Sequence, residues 1–202
     1  MKNSPNMRQS DQFQQVLELP QNGTLRSQIA ERTAGVHEGL RANPALLKLA
    51  SSQLTEAEYQ ATLCRFLTFF IAAESRRVAL NCFSGHSLFP DICLLSADTG
   101  TIPDDLPRLP LITDRWSCLG MLYVLHGARF GARMLQTKIS AQLPDRPHHY
   151  MSQDQAPHQW RLIVLQMENA AQHPLRTEAL AQSASETFVL FDQWLSSGNT
   201  TA

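Results

Sequence analysis

Between Pro110 and Pro144 the chain carries no proline, and the stretch from Thr113 or Asp114 to about Leu143 can run as one helix. That is ~30 residues, or ~45 Å at 1.5 Å per residue. Gly120, Gly127 and Gly131 lie inside it. Each costs up to ~1 kcal/mol relative to alanine in a helix interior, so three of them need a reason.

Shorter helices are marked out on both sides. Thr24 is placed to cap a first helix in which Leu25, Ile29, Thr33, Val36 and Leu40 recur at helical spacing, until Asn43-Pro44 breaks it. Thr55 and Glu58 form a capping box ahead of a long helix with Tyr59, Leu63, Phe66, Leu67, Phe70, Ile71 and Val78 on one wide face. Residues 84–112 are broken by Gly85, Pro90, Gly100, Pro103, Pro107 and Pro110, with room for a short helix over 88–95. After a loop over 144–157, Pro157 opens a helix with Trp160, Ile163, Val164 and Met167 inward. His173-Pro174 separates it from a last helix carrying Leu175, Leu180, Ala184, Phe188, Phe191, Trp194 and Leu195, which Gly198 ends. No strand pattern, repeat, G-x-G-x-x-G or Walker loop occurs. The expected fold is all-α, a multi-helical single domain of five or six main helices. Its bounds are 22–197, between a flexible tail over 1–21 and a short tail over 198–202.

Composition narrows the function classes. Apolar residues make up 43% of the 202, enough for a core. The 17 basic and 18 acidic side chains leave a net charge of −1, which argues against a nucleic-acid partner. No apolar run approaches the ~18–20 residues of a membrane span, and the N-terminus lacks the apolar stretch of a signal peptide. Cys64, Cys82, Cys93 and Cys118 form no C-x-x-C pair and read as reduced core thiols of a cytoplasmic protein. H-E-x-x-H, E-x-x-H and G-x-S-x-G are absent. Glu56, Glu58 and Glu74 read as capping and surface charges, and His148-His149 as a solvated loop pair.

On the long helix, Gly120, Tyr123, Gly127, Gly131 and Met134 share one stripe. Two readings are open. The glycines can let a neighbouring helix pack closely, or they can bare the backbone to a flat ligand. On the first helix, His37 lies one turn after Thr33 and one before Leu40. It is either a structural histidine or an imidazole offered to a metal.

At these residues the chain resembles a known family. The run Leu119-Gly-Met-Leu-Tyr-Val-Leu-His-Gly-Ala-Arg-Phe-Gly-Ala132 is similar to the distal helix of bacterial haem oxygenases, in particular the branch associated with bacteriophytochromes. Arg32-Thr-Ala-Gly-Val-His-Glu38 resembles that family's proximal-histidine segment. Ala184-x-x-Thr-Phe188-x-x-Phe191-x-x-Trp194-Leu195 resembles its final helix. The three lie in the family's order over roughly residues 22 to 197.

The resemblance implies a haem oxygenase-like fold and an enzyme that uses haem as substrate and cofactor. With O2 and electrons from an external ferredoxin or reductase, it would yield biliverdin, carbon monoxide and ferrous iron, with a bacteriophytochrome as product acceptor. His37 becomes the proximal iron ligand. Gly127 and Gly131 become the distal glycines over the haem, with Tyr123 and Phe188 lining the pocket. Arg161 and Arg26 are the candidate partners for the haem propionates. The chain also departs from the family. His126 stands where relatives usually carry glutamate, Ala128 where they carry aspartate or serine, and Ala132 where they carry glycine. Arg41 stands where some carry a carboxylate. These departures motivate an alternative, a non-catalytic haem-binding or transfer protein on the same fold.

Overall fold

The computed structural model describes residues 23–100, 104–153 and 156–197. Among them are seven α-helices and no strand: α1 Leu25–Arg41, α2 Pro44–Leu49, α3 Glu56–Ala79, α4 Phe89–Thr99, α5 Arg115–Gln142, α6 Ala156–Ala170 and α7 Pro174–Ser196. The fold is all-α, as expected. The two tails and Gly198 lie outside the described residues.

The helix ends follow from local chemistry. Thr24 accepts a hydrogen bond from the Ser27 amide and starts α1. The capping box at α3 forms as its spacing predicts, with Thr55 Oγ1 accepting from the Glu58 amide and the Glu58 carboxylate accepting from the Thr55 amide at 2.8 Å. Asp114 caps α5 by accepting from the amides of Trp116 and Ser117 at 2.7 and 2.8 Å. Asn43 does more than interrupt. Its side chain caps α2, and its Nδ2 also donates to Asp192 and Ser196 on α7. The elbow between α1 and α2 is thereby fixed to α7.

Helix α7 is the spine. Both α1 and α5 pack along it and not extensively on each other, while α6 bridges α5 and α1, and α4 packs on α3. Phe66, Phe69 and Phe191 meet between α3 and α7, with ring centroids 4.9 Å apart for Phe66–Phe191 and 4.7 Å for Phe69–Phe191. Each such buried side chain contributes ~1.5–3 kcal/mol. At helix ends the periodic pattern overshoots. Val78 in the last turn of α3 is 59% exposed and Leu175 in the first turn of α7 is 86% exposed. A helix continues its apolar spacing past the point where a neighbour covers it. No helix among the described residues is long and apolar enough to cross a membrane.

Candidate functional site

Contacts along α7 set α1 and α5 in register. On the α1 side, Arg32 forms a two-armed ion pair with Glu178, both bonds 2.8 Å. The His37 imidazole meets the Phe188 ring edge-on at 5.3 Å, and Asn43 reaches Asp192. On the α5 side, the Arg176 guanidinium lies over Trp116, and Gly120 abuts Leu180 and Ala184. Both helices therefore advance in the same sense along α7. One and two turns beyond Gly120, Tyr123 and Gly127 come to about the level of Phe188, across α7 from His37.

The three stripe glycines have three different surroundings. A methyl built on Gly120 would sit 2.3 Å from the Leu180 carbonyl oxygen and 2.9 Å from the Ala184 amide nitrogen. Gly120 thus serves close helix packing, the first of the two sequence readings. At Gly127 a methyl would rest 3.4 Å from Cζ3 of Trp160, an ordinary contact. At Gly131 nothing among the described residues lies within 4 Å, and Met134 one turn on is 80% exposed. Gly35 and Gly39, which bracket His37 on α1, are equally bare. The imidazole itself is accessible, while these two glycines lie on the other face of α1.

Trp160 forms the wall between the two helices. Its ring is buried and lies 5.2 Å from Tyr123 and 5.5 Å from Phe130, with the Arg26 guanidinium 5.5 Å above it. Its apolar spacing on α6 marked it for the core. Nothing in the sequence shows that it would contact the glycine stripe of α5 and α1 at once. Arg161, its neighbour, is exposed on α6. Tyr123 and Phe188 are 9% and 8% exposed, so each shows only an edge.

Electrostatics keep the imidazole neutral. Burial by its neighbours and then the Arg41 charge pull the His37 pKa below its ordinary value, and Glu38 opposes this only in part. Burial raises the Tyr123 phenol above its usual range, with Arg26 opposing.

The opposite face of α5 is buried and polar. The Asp91–Arg129 ion pair is enclosed, and Gln153 donates to Asp91 at 3.0 Å. His126 is 1% exposed, and its Nε2 donates to the His86 carbonyl at 3.3 Å. Among the described residues its Nδ1 has no hydrogen-bond partner, and neither has the Tyr150 hydroxyl. Burial, with Arg129 and His86 nearby, holds His126 down to about 3. It is an interior group, turned away from the glycine stripe. Ala128 is half-buried and brings no polar atom, while Ala132 is buried.

Three sequence expectations need correction. Glu74 is not a surface charge. Its half-buried carboxylate pairs with Arg77 at 2.7 Å and accepts from Ser87 Oγ and the Leu88 amide, because the chain after α3 folds back over it. His148 is not simply solvated, since it bonds the Tyr59 hydroxyl and the Leu143 carbonyl, both at 2.9 Å. Cys93 is exposed on α4, so the four thiols are not all in the core. A cleft of about 650 Å³ opens elsewhere, beside Pro44, Lys48, Glu58, Arg65 and Leu195. It holds none of His37, Tyr123, Gly127, Gly131, Phe188 and Arg161. No family model matches the chain, and no curated protein matches it in sequence.

Proposed function

We propose that the chain binds haem between α1 and α5 and opens the porphyrin to biliverdin, carbon monoxide and ferrous iron. The observation that carries this reading is the pairing, at about one level of α7, of the accessible imidazole of His37 with Gly127, followed one turn on by the open backbone of Gly131. The residues present suit a flat, iron-bearing ring. His37 is neutral near pH 7 and has a nitrogen lone pair to give. Among the described residues no three His, Cys, Asp or Glu side chains gather as a metal site, so a metal on His37 must bring its other donors with it. A porphyrin does so. The open space over Gly131 takes a planar face where any larger residue would stand in its way.

When bound, haem supplies the iron that activates O2 and the ring carbon that is oxidised. The chain contributes shape and placement. His37 holds one face. Gly131 would let the other face approach main-chain atoms, with Gly127 one turn before it against the Trp160 ring. Tyr123, Trp160 and Phe188 form an apolar wall that excludes water. Arg26 and Arg161 supply positive charge for carboxylate groups on the ring edge. Electrons come from an external ferredoxin or reductase, and a phytochrome-type photoreceptor is a fitting acceptor for the product.

Titration with haem, followed by reduction in air, tests the reading by absorbance. A Soret band should appear at one equivalent and give way to a green product. His37→Ala should bind more weakly and lose turnover, and Gly131→Leu should lose both. Absence of a Soret shift in the parent chain would defeat the proposal. Stable haem with no biliverdin would favour the carrier reading, for which the missing polar group at Ala128 is the supporting observation.

A further inference from the structure

The segment that follows α3 has an unusual backbone. Asn81 and Phe83 both adopt left-handed conformations, with φ of 47° and 48°, and Cys82 is held between them. Two consecutive-but-one non-glycine residues in this region mark a turn that its surroundings enforce. Those surroundings are visible. The Cys82 amide donates to the Arg77 carbonyl, and the Arg77 guanidinium donates to the Cys82 carbonyl at 2.9 Å. The same guanidinium is fixed by half-buried Glu74, and the Phe83 ring lies under the Arg115 guanidinium at 4.5 Å. The outcome is that Cys82 Sγ stands 2.7 Å from Cys118 Sγ, in the first turn of α5. The two are 36 positions apart, so no local motif announces them.

We propose that Cys82 and Cys118 are a peroxide-oxidisable dithiol, a modification site that reversibly joins the end of α3 to the start of α5. This assignment is independent of the haem reading. Cys82 is the entry point, because it is 5% exposed on a turn while Cys118 is fully buried in a helix. The Cys82 thiolate attacks one oxygen of hydrogen peroxide. The O–O bond breaks, a sulfenic acid forms, and the departing hydroxide takes up the thiol proton as water. Cys118 sulfur then attacks the sulfenic sulfur. The S–S bond forms, the S–O bond breaks, and the Cys118 proton leaves with the hydroxyl as a second water. Two thiols and one peroxide become one disulfide and two waters. Burial pushes the Cys118 thiol up, with the Arg77 charge opposing, so Cys118 depends on the short Sγ–Sγ distance to take part in the second, resolving step. A covalent S–S bond is ~2.05 Å, so closure needs only a sub-ångström movement of a turn already committed to this geometry.

The test uses the full chain, purified with reductant and exposed to hydrogen peroxide in small excess. Thiols are then alkylated after unfolding, and peptides are mapped by mass. The expected result is a Cys82–Cys118 linked peptide, a loss of two hydrogens from the intact mass, and a melting temperature raised by roughly 5–10 °C. All three should reverse with dithiothreitol. In a Cys64→Ser, Cys93→Ser variant, which retains only the pair, the cross-link should form as readily. The inference is overturned if Cys82 and Cys118 both alkylate in full at a peroxide dose that has consumed exposed Cys93. It is equally overturned if the linked peptides join other cysteines.

Discussion

A buried histidine tells in its protonation what its neighbours allow. His126 donates from Nε2 to a carbonyl, so its Nδ1 is the bare nitrogen, and a proton there would meet no acceptor and face Arg129. The folded chain therefore refuses a proton that the unfolded chain accepts near the ordinary value of 6.5. With the folded pKa depressed, the stability it supports is present above about 6.5 and is lost as pH falls from there toward about 3. Between about pH 7 and 5.5 the loss from this one group is roughly 1.3 kcal/mol. Urea unfolding across that range should show His126→Gln losing less stability than the parent chain by about that amount. The window lies above the carboxylate range, so the depressed Glu58, Glu74 and Glu178 do not obscure it. Parallel slopes would mean that His126 takes up its proton while folded. The sequence showed His126 only as a departure from a family pattern. It meets the turn at His86, which comes from a segment so rich in glycine and proline that periodicity is silent there.

At the scale of the element, a helix boundary is local and the partner of a helix face is not. Thr24, Thr55 and Asp114 declare three starts through side chains that act within three residues, and all three stand where the sequence put them. The glycine stripe of α5 was equally legible as a stripe. Its division was not, because what lies above each glycine comes from α7, from α6 or from no element at all. That division predicts opposite effects from one substitution. Gly120→Ala forces a methyl into the backbone of α7, where no flexible side chain can yield, and should destabilise by ~1–3 kcal/mol or more. Gly131→Ala meets nothing, regains helix propensity, and should stabilise by ~0.5–1 kcal/mol. Gly127→Ala, in ordinary contact with Trp160, should fall between them. Chemical denaturation midpoints at equal slope rank the three, and a neutral Gly120→Ala would remove the case for close packing of α5 on α7.

For the whole molecule, α7 makes α1 and α5 neighbours without fastening them to one another. Helix α1 is held by Glu168 of α6, whose carboxylate accepts from the Leu25 and Arg26 amides at 3.3 Å, by Arg32 on Glu178, and by the Asn43 elbow. Around His37 it relies on the edge of Phe188, with bare glycines on either side. Such a segment opens more readily than the core of α3 and α7. A ligand gripped from both sides would change that distribution in a specific way. At free haem ~100-fold above its dissociation constant, the bound state gains ~2.7 kcal/mol, a factor of about 100 in the opening equilibrium. Amide hydrogen exchange should therefore slow markedly over residues 33–41 of α1 and over the middle of α5 when one equivalent of haem is added. Amides of α3 and α4 that open independently of the cleft should change little. In His37→Ala the protection of α1 should vanish while that of α5 is only weakened, because the apolar wall of Tyr123 and Trp160 remains. Protection confined to the cleft beside Lys48 and Arg65, with α1 unaltered, would place haem at the wrong end of the bundle and separate the two faces that α7 brings level.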